Sequence, residues 1–209
     1  MHEHRKGGAT PDDPARAGAK QPGRFDPSRA DRLDDTSRFE YLPPERVLAL
    51  LDPAPSALMV DFGAGTGTYA IWLARARPDL AVIALDEQPE MLDRLRAKPE
   101  TQSLANLRPI FPAEIPGFRG RADRVLALNV LHELGDEALS EVRALLAPHG
   151  FALFVDWNAE VDRPHGPPRE HVYSPREAAK RLAGFGFEVE MLEGFPYHYV
   201  LRARRANSS

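Results

Sequence analysis

Short apolar runs that alternate with helix-length segments fix the class of fold this chain can adopt. Ala57 to Phe62, Leu80 to Leu85, Leu107 to Phe111, Ala122 to Leu128 and Phe151 to Val155 are strand-length and apolar nearly throughout. Strands that read this way are covered on both faces. Gly67 to Arg77, Pro89 to Lys98 and Asp136 to Leu146 carry helical spacing; the first ends before Pro78 and the last is stopped by Pro148 and Gly150. The alternation predicts an α/β fold, a doubly wound parallel sheet with helices on both faces. Pro43-Pro44 opens a helix through Leu51 ahead of the first strand. Beyond a Pro-rich stretch to Tyr173 come a helix from Pro175 to Ala183 and two more strands, Phe187 to Leu192 and Pro196 to Arg204. Only Glu193-Gly194-Phe195 joins those two strands, too short a link for a parallel crossover, so they are expected to be antiparallel. Residues 1–27 are rich in Gly, Pro and charge without apolar periodicity and are expected to form a flexible arm or loose lid. Residues 28–209 are expected to form a single domain, with Leu33 and Phe39 buried near its start.

Composition narrows function by exclusion. A net charge of −4 and a pI near 6.0 provide no global basic field for a nucleic acid backbone, so no nucleic acid partner is expected. The chain has no cysteine, which excludes disulfides, thiolate metal sites and cysteine nucleophiles. His2 and His4 sit in a polar terminus, and no metal site is expected. The apolar stretches fall far short of the roughly 20 residues of a membrane span. The polar N-terminus has no apolar segment behind it and does not read as a secretory signal, so a cytoplasmic protein is expected.

The chemistry concentrates after the first strand, in Val60-Asp61-Phe62-Gly63-Ala64-Gly65-Thr66-Gly67-Thr68. Ligands of doubly wound sheets bind beyond the carboxyl ends of the strands. Glycines there let the backbone approach a ligand, and the next helix offers unpaired N–H groups with a partial positive charge. Asp61 adds a fixed negative charge, so the pair suits an amino acid zwitterion. Asp86, at the end of the second strand and about 20 positions beyond Gly65, can accept hydrogen bonds from both hydroxyls of a ribose. A tight turn is the bland alternative, and a dinucleotide site is the chemical rival. The dinucleotide fingerprint needs its third glycine at position 68, where this chain has Thr68, and the chain lacks a second mononucleotide half.

Asp61-Phe-Gly-Ala-Gly-Thr-Gly67 followed by Asp86 resembles motif I and its partner acid in class I S-adenosylmethionine-dependent methyltransferases. The resemblance runs from about Pro43 to Arg204 and is nearest to small bacterial members of the ubiquinone/menaquinone-biosynthesis-like type. Phe25-Asp26-Pro27, Gly166-Pro-Pro168 and Phe195-Pro-Tyr-His-Tyr199 are similar to a subgroup with no assigned substrate. The resemblance implies a Rossmann-like seven-stranded sheet of order 3-2-1-4-5-7-6 with the last strand antiparallel. It also implies S-adenosyl-L-methionine as cofactor and methyl transfer to a small-molecule acceptor. On it, Gly63, Ala64, Gly65 and Gly67 line the methionine end with Asp61 near the ammonium. Asp86 holds the ribose, Glu87 and Met91 lie near ribose or adenine, Glu114 faces the adenine amino group, and Asn129 meets the methionine part through its backbone. The loop after the fourth strand reads Asn129-Val-Leu-His132, not the Asn-Pro-Pro-aromatic motif of amino methylases.

Methyl transfer from a sulfonium needs placement above all, and a general base only where the acceptor must lose a proton. His132 follows the fourth strand and is suited to that task; it is equally suited to packing on the cofactor or capping the strand. Asp156 and Trp157 close the fifth strand at the same rim, either to touch the acceptor or to cap a turn. His165, His171 and Tyr173 lie in the Pro-rich segment, as an acceptor wall or as a solvated loop. A cofactor-binding sensor without catalysis, an RNA methylase and an NAD-dependent oxidoreductase are the competing functions.

Overall fold

β1 (Leu58–Phe62), β2 (Ala81–Leu85), β3 (Leu107–Ile110), β4 (Ala122–Leu128) and β5 (Leu146–Trp157) run parallel. β6 (Phe187–Leu192) and β7 (His198–Arg205) complete one seven-stranded sheet in the computed structural model, which describes Lys20 and residues 24–206. The order is β3-β2-β1-β4-β5-β7-β6, and β7 lies antiparallel between β5 and β6. The helices are α1 (Asp31–Asp34), α2 (Pro44–Leu51), α3 (Thr68–Ala76), α4 (Pro89–Ala97), α5 (Pro99–Ser103), α6 (Asp136–Leu145) and α7 (Pro175–Gly184). No helix among the described residues is long and apolar enough to cross a membrane.

The period of two along each strand divides the core between the sheet's faces. Met59, Val82, Leu126, Leu153 and Val155 point to one face, where Leu51 of α2, Leu73 of α3 and Leu95 of α4 cover them. Val60, Ile83, Val125, Ala127 and Phe154 point to the other, against Leu139 and Val142 of α6 and Leu182 of α7. Proline stands in the first turn of α2, α4, α5 and α7, where its missing N–H costs nothing. Ser174 and Glu177 close a capping box on α7.

Several elements depart from the sequence reading. β5 begins at Leu146, inside the stretch assigned to the helix end and to Pro148-Gly150. The ladder to β4 shifts register between Ala122 and Arg124, and this bulge absorbs residues 147–150. β7 begins at His198, because Phe195 and His198 bond each other across a tight turn. α5 and the 3-10 turns over Pro112–Phe118 were not expected. Leu33 and Phe39 reach only half-burial. They belong to a strap, residues 24–41, whose short 3-10 and α turns cross the carboxyl end of the sheet. Most of the arm expected over residues 1–27 lies outside the described residues.

Candidate active site

A cavity of about 1030 Å³ opens at the carboxyl ends of β1, β2, β4 and β5, roofed by the strap. The strap is tied at both ends. On the glycine-loop side Asp34 accepts hydrogen bonds from Thr66 Oγ1 and Lys98 Nζ, each at 2.6 Å. There too Thr68 Oγ1 donates to Leu33 O at 2.6 Å. On the β4 side Phe25 N–H donates to Glu133 Oε2 at 3.0 Å and Lys20 N–H donates to His132 O at 3.1 Å, while Arg24 pairs with Glu87, just after β2, at 2.5 Å.

The glycine loop does two different things. Gly63, Ala64 and Gly65 line the cavity. Gly63 has φ 76°, and a Cβ there would fall 2.7 Å from Val130 Cγ1. Gly67 does not line the cavity, contrary to the sequence reading. It enters α3 with φ 79°, and a Cβ would sit 2.2 Å from Cδ1 of the fully buried Leu95. Its smallness serves the packing of the loop on α4. Gly67→Ala is expected to cost about 1–3 kcal/mol of stability through backbone strain and overpacking. A lowered thermal midpoint with a near-normal cofactor affinity at low temperature checks this.

Two buried acids face the loop. Asp61, 4% exposed, points from β1 toward α3, and burial together with the neighbouring Asp86 pushes its carboxyl up to about 7. Among the described residues no cation pairs with it. Asp86 accepts hydrogen bonds from Gly65 N–H at 2.8 Å and Gln88 N–H at 2.9 Å, which fixes its carboxylate between loop and helix start. Burial raises its pKa. Met91 is buried and lines the cavity, as does Glu87. Asn129 also lines it, in a left-handed conformation with φ 58°. Its backbone N–H donates to Val155 O at 2.8 Å, while its buried Oδ1 has no hydrogen-bond partner among the described residues. Glu114 corrects the sequence reading. It pairs with Arg108 at 2.6 Å and caps Phe111 N–H at 3.2 Å, so it turns away from the cavity, where Pro112 and Ile115 stand instead.

The rim of β4 carries the titratable centre. His132 is 2% exposed and lines the cavity. Its Nδ1 lies 2.9 Å from both oxygens of Asp156, and its backbone N–H donates to Asp156 Oδ2 at 3.0 Å. An ionised carboxylate only accepts, so Nδ1 carries the proton and Nε2 keeps its lone pair. Burial lowers the imidazole pKa, but the facing Asp156 outweighs it and the net direction is upward. Asp156 is fully buried; its other bond, at 2.7 Å, is from Trp157 N–H. It therefore orients His132 and does not itself reach the cavity, a correction to its reading as an acceptor contact. The sequence places Glu133 beside His132 at this rim without giving it a role. Glu133 lies 3.6 Å from His132 Nε2, and burial raises its carboxyl to about 6.

Beyond His132 the cavity has an aromatic wall. Trp157, on the opposite face of β5 from Asp156, packs 4.1 Å from His198 and 5.9 Å from His165, ring centre to centre. Tyr41 of the strap stacks on His198 at 5.9 Å and lies 5.0 Å from His165. Tyr41, Trp157, His165 and His171 line the cavity, whereas Tyr173 is held behind it by Arg181 at 2.7 Å. His198 is buried within the cluster and pushed down to about 3, so it stays neutral. Among the described residues no group of three or more His, Asp or Glu side chains could hold a metal ion.

Residues 60–152 match a family model described as a methyltransferase domain. A solved SAM-dependent methyltransferase from Aquifex aeolicus is 30% identical; the likeness covers 86% of this chain and 98% of that one, with a TM-score of 0.79. An uncharacterized methyltransferase of Mycobacterium tuberculosis is 37% identical over 123 residues, 58% of this chain and 47% of that protein. The chain thus spans about half the length of the curated relatives it matches. A DhpI–SAH complex shares the fold at 22% identity and a TM-score of 0.64, covering 87% of this chain and 94% of that one.

Proposed function

This chain belongs to the S-adenosylmethionine-dependent methyltransferases, and from that premise we propose that it methylates a small-molecule acceptor whose O–H or N–H proton is removed by His132. The observation that carries the reading is the His132–Asp156 pair, buried at the wall of the cavity beside the glycine loop. A cavity near 1030 Å³ under a tied strap has room for a cofactor with a small acceptor.

The residues present fit the cofactor. Among the described residues Asp61 is a buried acid without a cation and Asn129 Oδ1 a buried acceptor without a donor; an ammonium group would satisfy both. Gly63, Ala64 and Gly65 would receive the methionine end, Asp86 the ribose, and Met91 with Glu87 the nucleoside. S-adenosylmethionine, when bound, would supply an electrophilic methyl group on a sulfonium. The chain's part is to bind, orient and exclude water. His132 Nε2 takes the acceptor's proton while Asp156 holds the ring and stabilises the imidazolium. Tyr41, Trp157 and His165 present flat faces to the acceptor.

Calorimetry with S-adenosylmethionine and S-adenosylhomocysteine, followed by turnover on phenols, quinols, amines and RNA, tests the reading. Turnover confined to RNA, or saturable cofactor binding without turnover of any acceptor, would overturn it. Asp86→Asn is expected to weaken cofactor binding by about 1.5 kcal/mol, roughly tenfold in Kd, from the loss of charge-assisted hydrogen bonds. An unchanged Kd removes Asp86 from the site.

A further inference from the structure

The acceptor half of the cavity contains a fixed charge that catalysis does not use. Arg38 lines the cavity from the strap. Its Nε–H donates to Asp35 O at 3.2 Å, and an Nη2 N–H donates to Arg32 O at 2.8 Å. Both partners are neutral carbonyls. The nearby Asp35 carboxylate is turned onto Ser37 N–H at 2.9 Å and forms no ion pair with Arg38. The two bonds hold the guanidinium plane by one edge. Both Nη1 N–H groups and the second Nη2 N–H have no partner among the described residues. That end-on fork matches the two oxygens of a carboxylate.

The surroundings select the sign of the ligand. The Arg38 charge is felt at Tyr41 and at His198, two members of the aromatic wall; the carboxylates of Asp35 and Asp156 are also felt there, but Asp35 is turned onto Ser37 N–H and Asp156 is bound behind the wall by His132 and Trp157 N–H. A second guanidinium, Arg163, lies 5.6 Å over the Trp157 ring, bonded to the neutral carbonyl of Pro167. Three flat aromatic faces could otherwise cage an ammonium ion. With two cations already against the wall, a cationic amine meets like charge, whereas an anion gains.

We propose that Arg38 receives a carboxylate of the methyl acceptor, so that the acceptor is an aromatic hydroxy acid. Its ring lies against Tyr41, Trp157 and His165, and its hydroxyl faces His132. The proposal rests on the reading of the cavity as a methyl-transfer site. Arg38 sets which acceptor binds, and His132 sets whether it reacts.

The test titrates the full chain, saturated with S-adenosylhomocysteine, with three probes: 3,4-dihydroxybenzoate, catechol and 3,4-dihydroxybenzylamine. The acid is expected to bind about tenfold more tightly than catechol, as one charge-assisted pair provides, and the amine more weakly than catechol. In Arg38→Gln the ratio of acid to catechol falls to about one, while in Arg38→Lys part of it survives, because the charge remains and the fork does not. Equal binding of acid and catechol by the unmodified chain overturns the proposal, as does tighter binding of the amine. A ratio unchanged in Arg38→Gln overturns it as well. Failure to saturate with S-adenosylhomocysteine instead overturns the cofactor reading beneath it, and that is visible before any probe is added.

Discussion

Exchanging His132 for glutamine is expected to lower kcat by about 10²- to 10⁴-fold, the range over which a positioned general base contributes, with cofactor affinity nearly unchanged. The reason is the division of labour along the rim: on the proposed reading the cofactor is held by the loops after β1 and β2 with Asn129 at the tip of β4, and the base stands three residues further on. The pH profile identifies the base. Its raised pKa keeps His132 protonated to higher pH than an ordinary histidine, and the protonated ring cannot accept a proton. The rate therefore climbs with pH along a limb displaced above the usual histidine value of 6.5 and then levels. Asp156→Asn removes the charge that raises the pKa, so the limb moves to lower pH while the plateau falls. A uniform loss at every pH, with no displacement of the limb, would reduce Asp156 to a structural anchor.

Cofactor affinity should itself depend steeply on pH, with a sign that follows from Asp61. In the unliganded chain this carboxyl titrates near 7, well above its ordinary 3.8, since burial and Asp86 oppose its charge. An ammonium group requires the ionised form. Below pH 7 binding must therefore expel a proton, and affinity for S-adenosylmethionine is expected to rise about tenfold per pH unit toward that value and then flatten. Between pH 5 and 7 this amounts to roughly 100-fold in Kd. Stability of the unliganded chain moves the other way. The folded form holds the proton that the unfolded form has lost above pH 3.8, so this group's contribution fades as pH climbs through 7. Asp61→Asn should flatten both profiles and leave the affinity low throughout. Calorimetry in buffers of different ionisation heat counts the protons released. Zero release below pH 7 would refute the pairing of Asp61 with the ammonium.

Much of this was legible from periodicity and spacing, and the rest was hidden for identifiable reasons. The apolar runs located the five parallel strands, and the short Glu193–Phe195 link set the last two antiparallel. The position of Asp61 and Asp86 followed from their place at strand ends. The roles of Asp156 and Trp157 could not be divided by proximity in sequence. A strand sends neighbours to opposite faces, so Trp157 joins the aromatic wall while Asp156 passes beneath His132. Glu114 looked like a ligand because of its position, but Arg108, six residues earlier, claims its charge. Gly67 looked like part of the cradle, and only the facing Leu95 reveals what its missing side chain accommodates. Arg38 became visible only with the strap in place, since the segment folds as short turns and not as the helix its pattern suggests.

The position of β7 bears on how the chain comes to be folded. It follows the other six strands of the sheet in the chain, yet it forms the interior seam between β5 and β6. Until it emerges, the long edge of β5 offers its backbone groups to any passing strand, and β6 has nothing to pair with. The Rossmann-like half can assemble early, but the sheet closes only once β7 has emerged, by contacts between distant parts of the chain. Such late closure is slow and prolongs the exposure of an adhesive edge. Nascent chains halted before His198 should therefore be captured by chaperones, and release should coincide with emergence of the final strand.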